Sequence, residues 1–281
     1  MCYTPVILKK TKDYQTIKDT YFTQQVPCGQ CLECRRARQH SWYVRLNAEL
    51  KNSYTAKFIT LTYDDDNIPV NSEFYQTLYY EDVQLFFKRL RRRQERKHGK
   101  LSPKIKYFAV GEYGSQTNRP HYHIILFNCL DINDVEKSWK FGNIHAGDVT
   151  DQSIYYTLKY CLKSTLFDST TDTDNTGRQR EKALMSKGLG LSYLTPQMQK
   201  YFNEDLTRGV TLLGGQELPL PRYYRNKMWD SEQEKGKIYA RNKLMSESVQ
   251  YKQSDREENP LFELQVKDAY RRASHTIKKT D

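Results

Sequence analysis

Apolar and polar positions follow two different rhythms along this chain. Residues 58–63 (FITLTY) alternate apolar with polar or β-branched side chains and lead into turn-forming residues at 64–69, which predicts a central β-strand ending in a turn. Between residues 80 and 98 apolar side chains recur at the spacing of an amphipathic helix. Those side chains are Val83, Phe86, Phe87 and Leu90. Further helices are predicted at about residues 35–51 and 153–163.

Residues 107–127 (YFAVGEYGSQTNRPHYHIILF) consist of two apolar runs joined by a polar turn. The turn, residues 114–120, folds the second run back antiparallel to the first, so a β-hairpin is predicted. Side chains two apart on a strand share a face, so His121 and His123 converge. The hairpin also brings the carboxylate of Glu112 beside them. Two imidazole nitrogens and one carboxylate oxygen predict an open, half-filled site for a divalent metal ion.

Two histidines in a strand also have an ordinary interpretation, in which one is solvated and the other is hydrogen-bonded within the fold. Metal binding is favoured here because the acid, the turn and the H-x-H pattern occur together. His145, on a short strand predicted at residues 143–149, is interpreted as structural rather than as a third imidazole ligand.

The helix predicted after the hairpin carries tyrosines and lysines in a regular arrangement. Tyr156 and Tyr160 are four residues apart and are therefore neighbours on one face. Lys159 and Lys163 each follow a tyrosine by three residues. Tyr155 is turned away from Tyr156 by roughly 100°. Taken alone, these tyrosines would be interpreted as partly buried packing residues.

The remaining segments predict appendages around a core. Residues 168–180 are polar without an apolar rhythm and predict a mobile loop, residues 219–227 predict an extended basic arm, and the highly charged chain after residue 230 predicts a helical, partner-dependent tail. The predicted divisions are an N-terminal cysteine motif and helix at residues 1–55, a core at residues 56–215, and a basic arm with the charged tail at residues 216–281.

Charge narrows the range of partners. The chain of 281 residues has 45 Lys and Arg against 34 Asp and Glu, a net charge of +11, and 22 tyrosines. This excess favours a polyanion, because cations that neutralise phosphates release condensed counterions. The end of the helix at residues 80–98 is an ordinary solvated face or, as we favour from its density of cations, a phosphate-contacting patch. Its cations are Lys88, Arg89, Arg91, Arg92, Arg93, Arg96 and Lys97. Tyr107 and Tyr113 are candidates for stacking on unpaired bases.

Six cysteines in a chain of this length do not predict a disulfide framework and suit a reducing compartment. Cys28, Cys31 and Cys34 have C-x2-C-x2-C spacing, and Cys2 or Cys161 is available as a fourth ligand for a structural zinc ion. The alternative is that reduced cysteines pack the start of a helix.

Membrane insertion and secretion are not predicted. No run approaches the roughly 18 apolar residues that span a bilayer, and the initial MCYTP lacks the apolar core of a secretory signal. A soluble, intracellular protein is expected.

Taken together, the motifs resemble those of the replication initiators of small single-stranded DNA phages, the microviruses, and specifically their gokushovirus type. These initiators belong to the HUH superfamily of rolling-circle single-strand endonucleases. FITLTY is similar to motif I, GEYG with RPHYH to motif II, and YYTLKYCLK to motif III of the two-tyrosine branch. MCYTP, PCGQCLEC, MSKGLG and PRYYRNK extend the likeness over roughly residues 1–228.

The resemblance implies an α+β fold of the HUH endonuclease type, with a ferredoxin-like (RRM-like) antiparallel sheet of four or five strands, helices on one face and the metal on the other. It implies an enzyme that nicks single-stranded origin DNA by tyrosine attack, forms a 5′-phosphotyrosine and a free 3′-hydroxyl, and rejoins the ends. The implied roles are manganese or magnesium binding by Glu112, His121 and His123, and catalysis by Tyr156, Tyr160, Lys159 and Lys163.

The implied partners are single-stranded origin DNA and a host helicase and polymerase, in the cytoplasm of an infected bacterium. Two alternatives stay open. One is a non-catalytic single-stranded nucleic-acid-binding protein on the same sheet, with incidental histidines. The other is a transposase or plasmid initiator of the same superfamily, which shares the chemistry but not the biology.

Overall fold

The computed structural model describes residues 2–10, 22–159, 173–204, 208, 210–213 and 216–229. The predictions that concern Tyr160, Cys161, Lys163 and the charged tail lie outside these residues. In chain order the described elements are β1 (Val6–Lys10), β2 (Phe22–Val26), α1 (Leu32–Lys51), β3 (Ala56–Thr62), α2 (Tyr80–His98), β4 (Lys106–Tyr113), β5 (Pro120–Phe127), α3 (Asn133–Glu136), β6 (Ile144–Asp148), α4 (Asp151–Leu158), β7 (Ala183–Met185), a 3₁₀ helix (Leu191–Tyr193), α5 (Pro196–Glu204), β8 (Val210–Leu213), β9 (Gln216–Pro219) and α6 (Arg222–Met228).

Five strands form one antiparallel sheet in the order β6-β3-β5-β4-β7. β5 lies at its centre and is buried along nearly its whole length, because both faces of the sheet are covered there. The predicted α+β class and antiparallel sheet are therefore confirmed. β1 with β2, and β8 with β9, form two separate hairpins.

Successive side chains of β5 enter two hydrophobic clusters, one on each face of the sheet. Ile124 and Leu126 pack with the apolar side of α2 and with Val135 of α3. Ile125 and Phe127 pack with α1, α4, α5 and α6 on the face that also carries the histidines. The helices predicted opposite the histidines are thus α2 and α3, and four further helices pack beside the histidines.

Residues 219–227 do not form the predicted extended basic arm. They contain α6, which follows Pro221 and buries Tyr224 and Met228. The hydroxyl of Tyr224 donates a hydrogen bond to the carbonyl oxygen of Gly190 at 2.7 Å. The basic residues dominate the composition, but two apolar side chains four residues apart give the segment one buried helical side.

The described part of the predicted mobile loop, residues 173–180, forms a hydrogen-bonded turn instead. The carboxylate of Asp174 accepts the backbone N–H groups of Thr176 and Arg178 at 2.8 and 3.1 Å. The guanidinium of Arg178 lies 4.7 Å from the centre of the Tyr113 ring on β4. Polar side chains therefore replace an apolar rhythm in attaching this segment to the sheet.

Glu49 is a buried carboxylate that joins α1 to two other parts of the core, and only 3% of its surface is exposed. One oxygen lies 2.7 Å from Lys106 Nζ on β4, and the other accepts the N–H of Gly190 at 2.8 Å. Gly190 has φ of 78°, and a Cβ there would lie 2.6 Å from the carbonyl oxygen of Arg45, so this close approach requires glycine.

We expect Glu49→Ala to lower the free energy of unfolding by about 2–4 kcal/mol, because it leaves the Lys106 ammonium and a buried N–H without their acceptor. Denaturant unfolding followed by circular dichroism measures this change. As a control, Asp148→Asn removes the exposed ion pair with Lys57, 2.7 Å long, and should leave stability nearly unchanged. Equal losses in both variants would show that burial of Glu49 is unimportant.

Candidate metal centre

The β4–β5 hairpin brings Glu112, His121 and His123 together on one face, which confirms their predicted convergence. The register pairs Glu112 with His121 and Val110 with His123. Oε2 of Glu112 lies 3.9 Å from Nε2 of His121 and 3.6 Å from Nε2 of His123. One candidate ligand atom from each of the three residues lies within 4.8 Å of the others.

Hydrogen bonds at the far side of each imidazole orient the two rings. Nδ1 of His121 lies 3.1 Å from the carbonyl oxygen of Arg119. A carbonyl only accepts, so Nδ1 carries the proton and Nε2 keeps its lone pair toward Glu112. Nδ1 of His123 lies 3.1 Å from the hydroxyl of Thr60, its direct neighbour on β3.

This donor set fits a divalent cation. Two imidazole nitrogens and one carboxylate oxygen converge from a rigid sheet, and the hydrogen bonds to Arg119 and Thr60 hold both rings in place. The ring of Phe58 stacks on His123 with centroids 5.6 Å apart, which closes one side of the site. Three protein ligands leave coordination positions for water or a phosphate oxygen.

Helix α4 places Tyr156 beside the histidines. The helix begins at a capping box of Thr150 and Ser153, and it packs through Ile154 and Leu158 on the sheet. The ring of Tyr156 meets that of His123 edge-on, with centroids 4.9 Å apart and planes at 85°. The phenol stays accessible, since 48% of Tyr156 is exposed.

Tyr155 points in another direction, as predicted. Its ring stacks on Tyr43 of α1 with centroids 4.4 Å apart. The hydroxyl of Tyr43 donates to Asp151 at 2.8 Å, and the side-chain amide of Gln39 lies 3.5 Å from the carbonyl oxygen of Leu158. Helix α1 therefore holds both ends of α4.

A small pocket separates the metal-ligand candidates from α4. Among its lining residues is Glu181, which sequence analysis missed. Glu181 precedes β7, which pairs Ala183 with Val110, and its carboxylate accepts the N–H of Tyr113 at 3.0 Å. It follows a polar segment without periodicity, so no sequence signal placed it here. The lining consists of Val110, Gly111, Glu112, His123, Tyr156, Thr157, Lys159 and Glu181.

Tyr80 was also missed, and it fixes the edge of this pocket from the opposite face of the sheet. Its buried hydroxyl donates to the carbonyl oxygen of Arg180 at 2.9 Å and accepts the N–H of Lys182 at 2.7 Å. A Cβ on Gly111 would lie 2.7 Å from that hydroxyl oxygen, so the residue before Glu112 has to be glycine. Burial raises the pKa of the Tyr80 phenol, which keeps it neutral and able to donate.

The cations predicted to contact phosphates lie on α2, on the face of the sheet opposite the metal centre. Arg89, Arg91 and Arg93 donate to backbone carbonyl oxygens, and Lys97 pairs with Asp131. Lys88, Arg92 and Arg96 are exposed on the outer side of α2.

Three other predicted residues do not join the site. Tyr107 and Tyr113 lie on the α2 face, half-buried, with Tyr107 stacked on Phe87 at 3.4 Å between centroids and Tyr113 beneath Arg178. Their rings are already packed, so the proposed stacking on bases next to the metal centre is wrong. His145 is exposed on β6 and lies outside the converging set, consistent with its interpretation as a non-ligand.

The cysteine motif forms a second cluster, away from the hairpin. Sulfur atoms of Cys2, Cys28, Cys31 and Cys34 all lie within 4.8 Å of one another. Cys161, the other candidate for the fourth position, is not among the described residues. Over the ranges that the structure describes, no helix has the length and apolar character needed to cross a membrane.

The antiparallel sheet, the acid with two histidines and the neighbouring tyrosine helix together have the arrangement of an HUH, ferredoxin-like fold. Sequence comparison agrees with this class. The family model for the replication-associated protein ORF2 matches residues 56–165. No solved structure matches the chain significantly.

Curated relatives identify the family. The chain is 31% identical to the replication-associated protein ORF2 of Spiroplasma virus 4, over 78% of this chain and 73% of that protein. It is 28% identical to the replication-associated protein ORF4 of Chlamydia phage 1, over 76% of this chain and 55% of that protein. It is 29% identical to the replication-associated protein VP4 of Bdellovibrio phage phiMH2K, over 83% and 76% respectively. The chain belongs to the family of microvirus replication-associated proteins.

We expect Thr60→Val to weaken Mn²⁺ binding about 10-fold, because His123 loses the hydrogen bond that orients its ring. Isothermal titration calorimetry with manganese chloride measures the affinity. Thr62→Val is the matched control, since Thr62 is on the same strand and face but donates to the carbonyl oxygen of Asn143. The control should bind like the unmodified protein. Unchanged affinity in the Thr60 variant would mean that this contact does not support a metal.

Proposed function

We propose that this protein initiates rolling-circle DNA replication by nicking single-stranded origin DNA and rejoining the ends. Membership in the replication-associated family supports the biological role. The relatives' names refer to replication alone, so the cleavage chemistry rests on the site. The observation that carries it is the contact between the rings of Tyr156 and His123, 4.9 Å between centroids, which puts a phenol beside the candidate metal ligands.

The proposed reaction is attack of a tyrosine on a phosphodiester. A phenol is a weak nucleophile at neutral pH, because its pKa is near 10. A manganese or magnesium ion held by Glu112, His121 and His123 would make the phosphate more electrophilic. As the phenol oxygen of Tyr156 bonds to phosphorus, the bond to the 3′ oxygen breaks, which leaves a 5′-phosphotyrosine and a free 3′-hydroxyl. Attack by a 3′-hydroxyl reverses the step and rejoins DNA without a nucleotide cofactor.

Lysines on the same helix complete the proposed chemistry. Lys159 lines the pocket with Tyr156, where its positive charge would stabilise the phosphate and lower the pKa of the attacking phenol. Tyr160 and Lys163 repeat this pair one helical turn later in the sequence. Two tyrosines suit rolling-circle replication, because one retains the first 5′ end while the other cuts the regenerated origin.

Single-stranded origin DNA is the proposed substrate, since the scissile phosphate has to reach a small pocket at the surface of the sheet. The net charge of +11 supports binding of a polyanion. We propose that the protein acts in the cytoplasm of the infected bacterium, with host helicase and polymerase as further partners.

We expect the double variant Tyr156→Phe, Tyr160→Phe to lose covalent attachment to DNA. Each change removes only a hydroxyl and keeps the ring, so folding should be preserved. Labelled single-stranded phage origin DNA is incubated with protein and Mn²⁺, and adducts that survive denaturing electrophoresis are counted. The unmodified protein should form them.

Tyr155→Phe is the matched control for that experiment, because its ring stacks on Tyr43 rather than beside His123. Adduct formation by this variant should equal that of the unmodified protein. An adduct in the double variant would refute the assigned nucleophiles. Retardation of DNA without any adduct in the unmodified protein would favour a non-catalytic binding protein.

We expect the triple variant Lys88→Gln, Arg92→Gln, Arg96→Gln to bind single-stranded DNA with a weaker salt dependence. Each phosphate contact contributes about 0.7 to the slope of log affinity against log salt, so the slope should fall by about 2. Fluorescence anisotropy at several salt concentrations measures it. Glutamine at Lys51, Arg222 and Lys227, which are exposed elsewhere, removes the same charge. Equal slopes in both triple variants would show that α2 makes no specific contribution.

A further inference from the structure

The four cysteines that converge at the start of α1 are unused by the proposed reaction. Cys31 is the N-cap of α1 and Cys34 lies in its first turn, while Cys28 precedes the helix and Cys2 comes from the N-terminal segment. Cys31 is buried and the other three are half-buried. Residues far apart in sequence thus present four soft ligands to one point.

The distances between sulfur atoms match those of a single tetrahedral ion. Zinc bonded to four thiolates at about 2.3 Å requires sulfur atoms about 3.8 Å apart. The separation is 3.9 Å between Cys28 and Cys34, and 3.8 Å between Cys31 and Cys2. A disulfide would need about 2.05 Å. An iron–sulfur cluster places several metal atoms between its cysteines and would need wider spacing.

The surroundings favour the thiolate form that a metal requires. The sulfur of Cys28 accepts the backbone N–H groups of Gln30 and Cys31 at 3.4 and 3.3 Å, and the sulfur of Cys2 accepts the N–H of Cys28 at 3.2 Å. The positive end of the α1 dipole adjoins the cluster. Backbone donors aimed at the sulfur atoms would hold the thiolates in orientation around an ion.

We propose that Cys2, Cys28, Cys31 and Cys34 bind one structural Zn²⁺ ion. Four protein ligands fill its coordination sphere, so this ion takes no part in catalysis. Binding exchanges up to four thiol protons for one Zn²⁺, with no change in oxidation state. The ion attaches the N-terminal segment to the first turn of α1, the helix whose Gln39 contacts α4.

Zinc content of the full-length protein tests the proposal directly. The unmodified protein, produced with zinc and dialysed against metal-free buffer, should retain about one zinc per chain by inductively coupled plasma mass spectrometry. Cys31→Ser and Cys34→Ser should each lose it. Cys129→Ser is the matched control, because Cys129 is a buried thiol whose sulfur contacts the carbonyl oxygen of Asp131 instead of the cluster. It should keep the full zinc content.

A second variant separates this cluster from the hairpin site. His121→Ala, His123→Ala should retain zinc whether or not the protein cuts DNA, so the proposal can fail independently of the proposed function. Loss of zinc in that variant, with retention in Cys31→Ser, would place the ion at the hairpin and overturn the proposal. So would an unmodified protein that holds iron or no metal.

Unmodified protein provides a measurement that does not depend on the folding of variants. Titration with a mercurial reagent should release the zinc as about four thiols react. Replacement of zinc by Co²⁺ should give the intense visible absorption of a tetrahedral four-thiolate site. Zinc release without thiol modification, or cobalt absorption typical of nitrogen and oxygen ligands, would refute the assigned ligands.

Discussion

The antiparallel register of β4 and β5 is the constraint on which the metal centre depends. It pairs Glu112 with His121 and sets His123 one pleat further along the same face. A slip of one residue would transfer both histidines to the other face, among the side chains that pack on α2. That slip would also expose Ile124 on the wrong side, so the hydrophobic effect that fills two cores fixes the histidines as well. The site therefore inherits its geometry from the interior of the sheet.

The phenol reaches this site through a separate line of support. Helix α4 rests on the histidine-bearing face through Ile154 and Leu158, and α1 holds it through Tyr43. The buried ion pair of Glu49 with Lys106 in turn fastens α1 to β4. Ligands and candidate nucleophile thus lie on different elements that share one hydrophobic cluster. A change deep in that cluster would alter their separation without touching either group.

The parts of the structure that could be predicted are those with a local pattern. Period-two alternation and a polar turn gave the hairpin, and helical spacing gave α2 with the bounds that the structure has. Helix α6 was missed because its charge outweighed two apolar positions, and Glu181 was missed because a three-residue strand carries no rhythm. An amphipathic pattern predicts that a helix has a buried side, but not which face of a sheet receives it. The docking of α1 and α4 beside the histidines depends on such long-range packing.

The separation of charge and chemistry constrains how one DNA strand could use both. The exposed cations of α2 and the metal-ligand candidates lie on opposite faces, so a strand in contact with both has to pass an edge of the sheet. The β4–β7 edge has suitable charge, since a groove there is lined by Arg91, Lys100, Lys104, Lys106 and Lys187 with Glu95 as its one acidic residue. That groove adjoins the first residues of β4, and Glu112 is near the strand's other end, about 20 Å away at the rise of an extended chain. Phosphates bound in the groove would therefore be several nucleotides from the bond that is cut, so the groove could add affinity and direction without contacting the scissile phosphate.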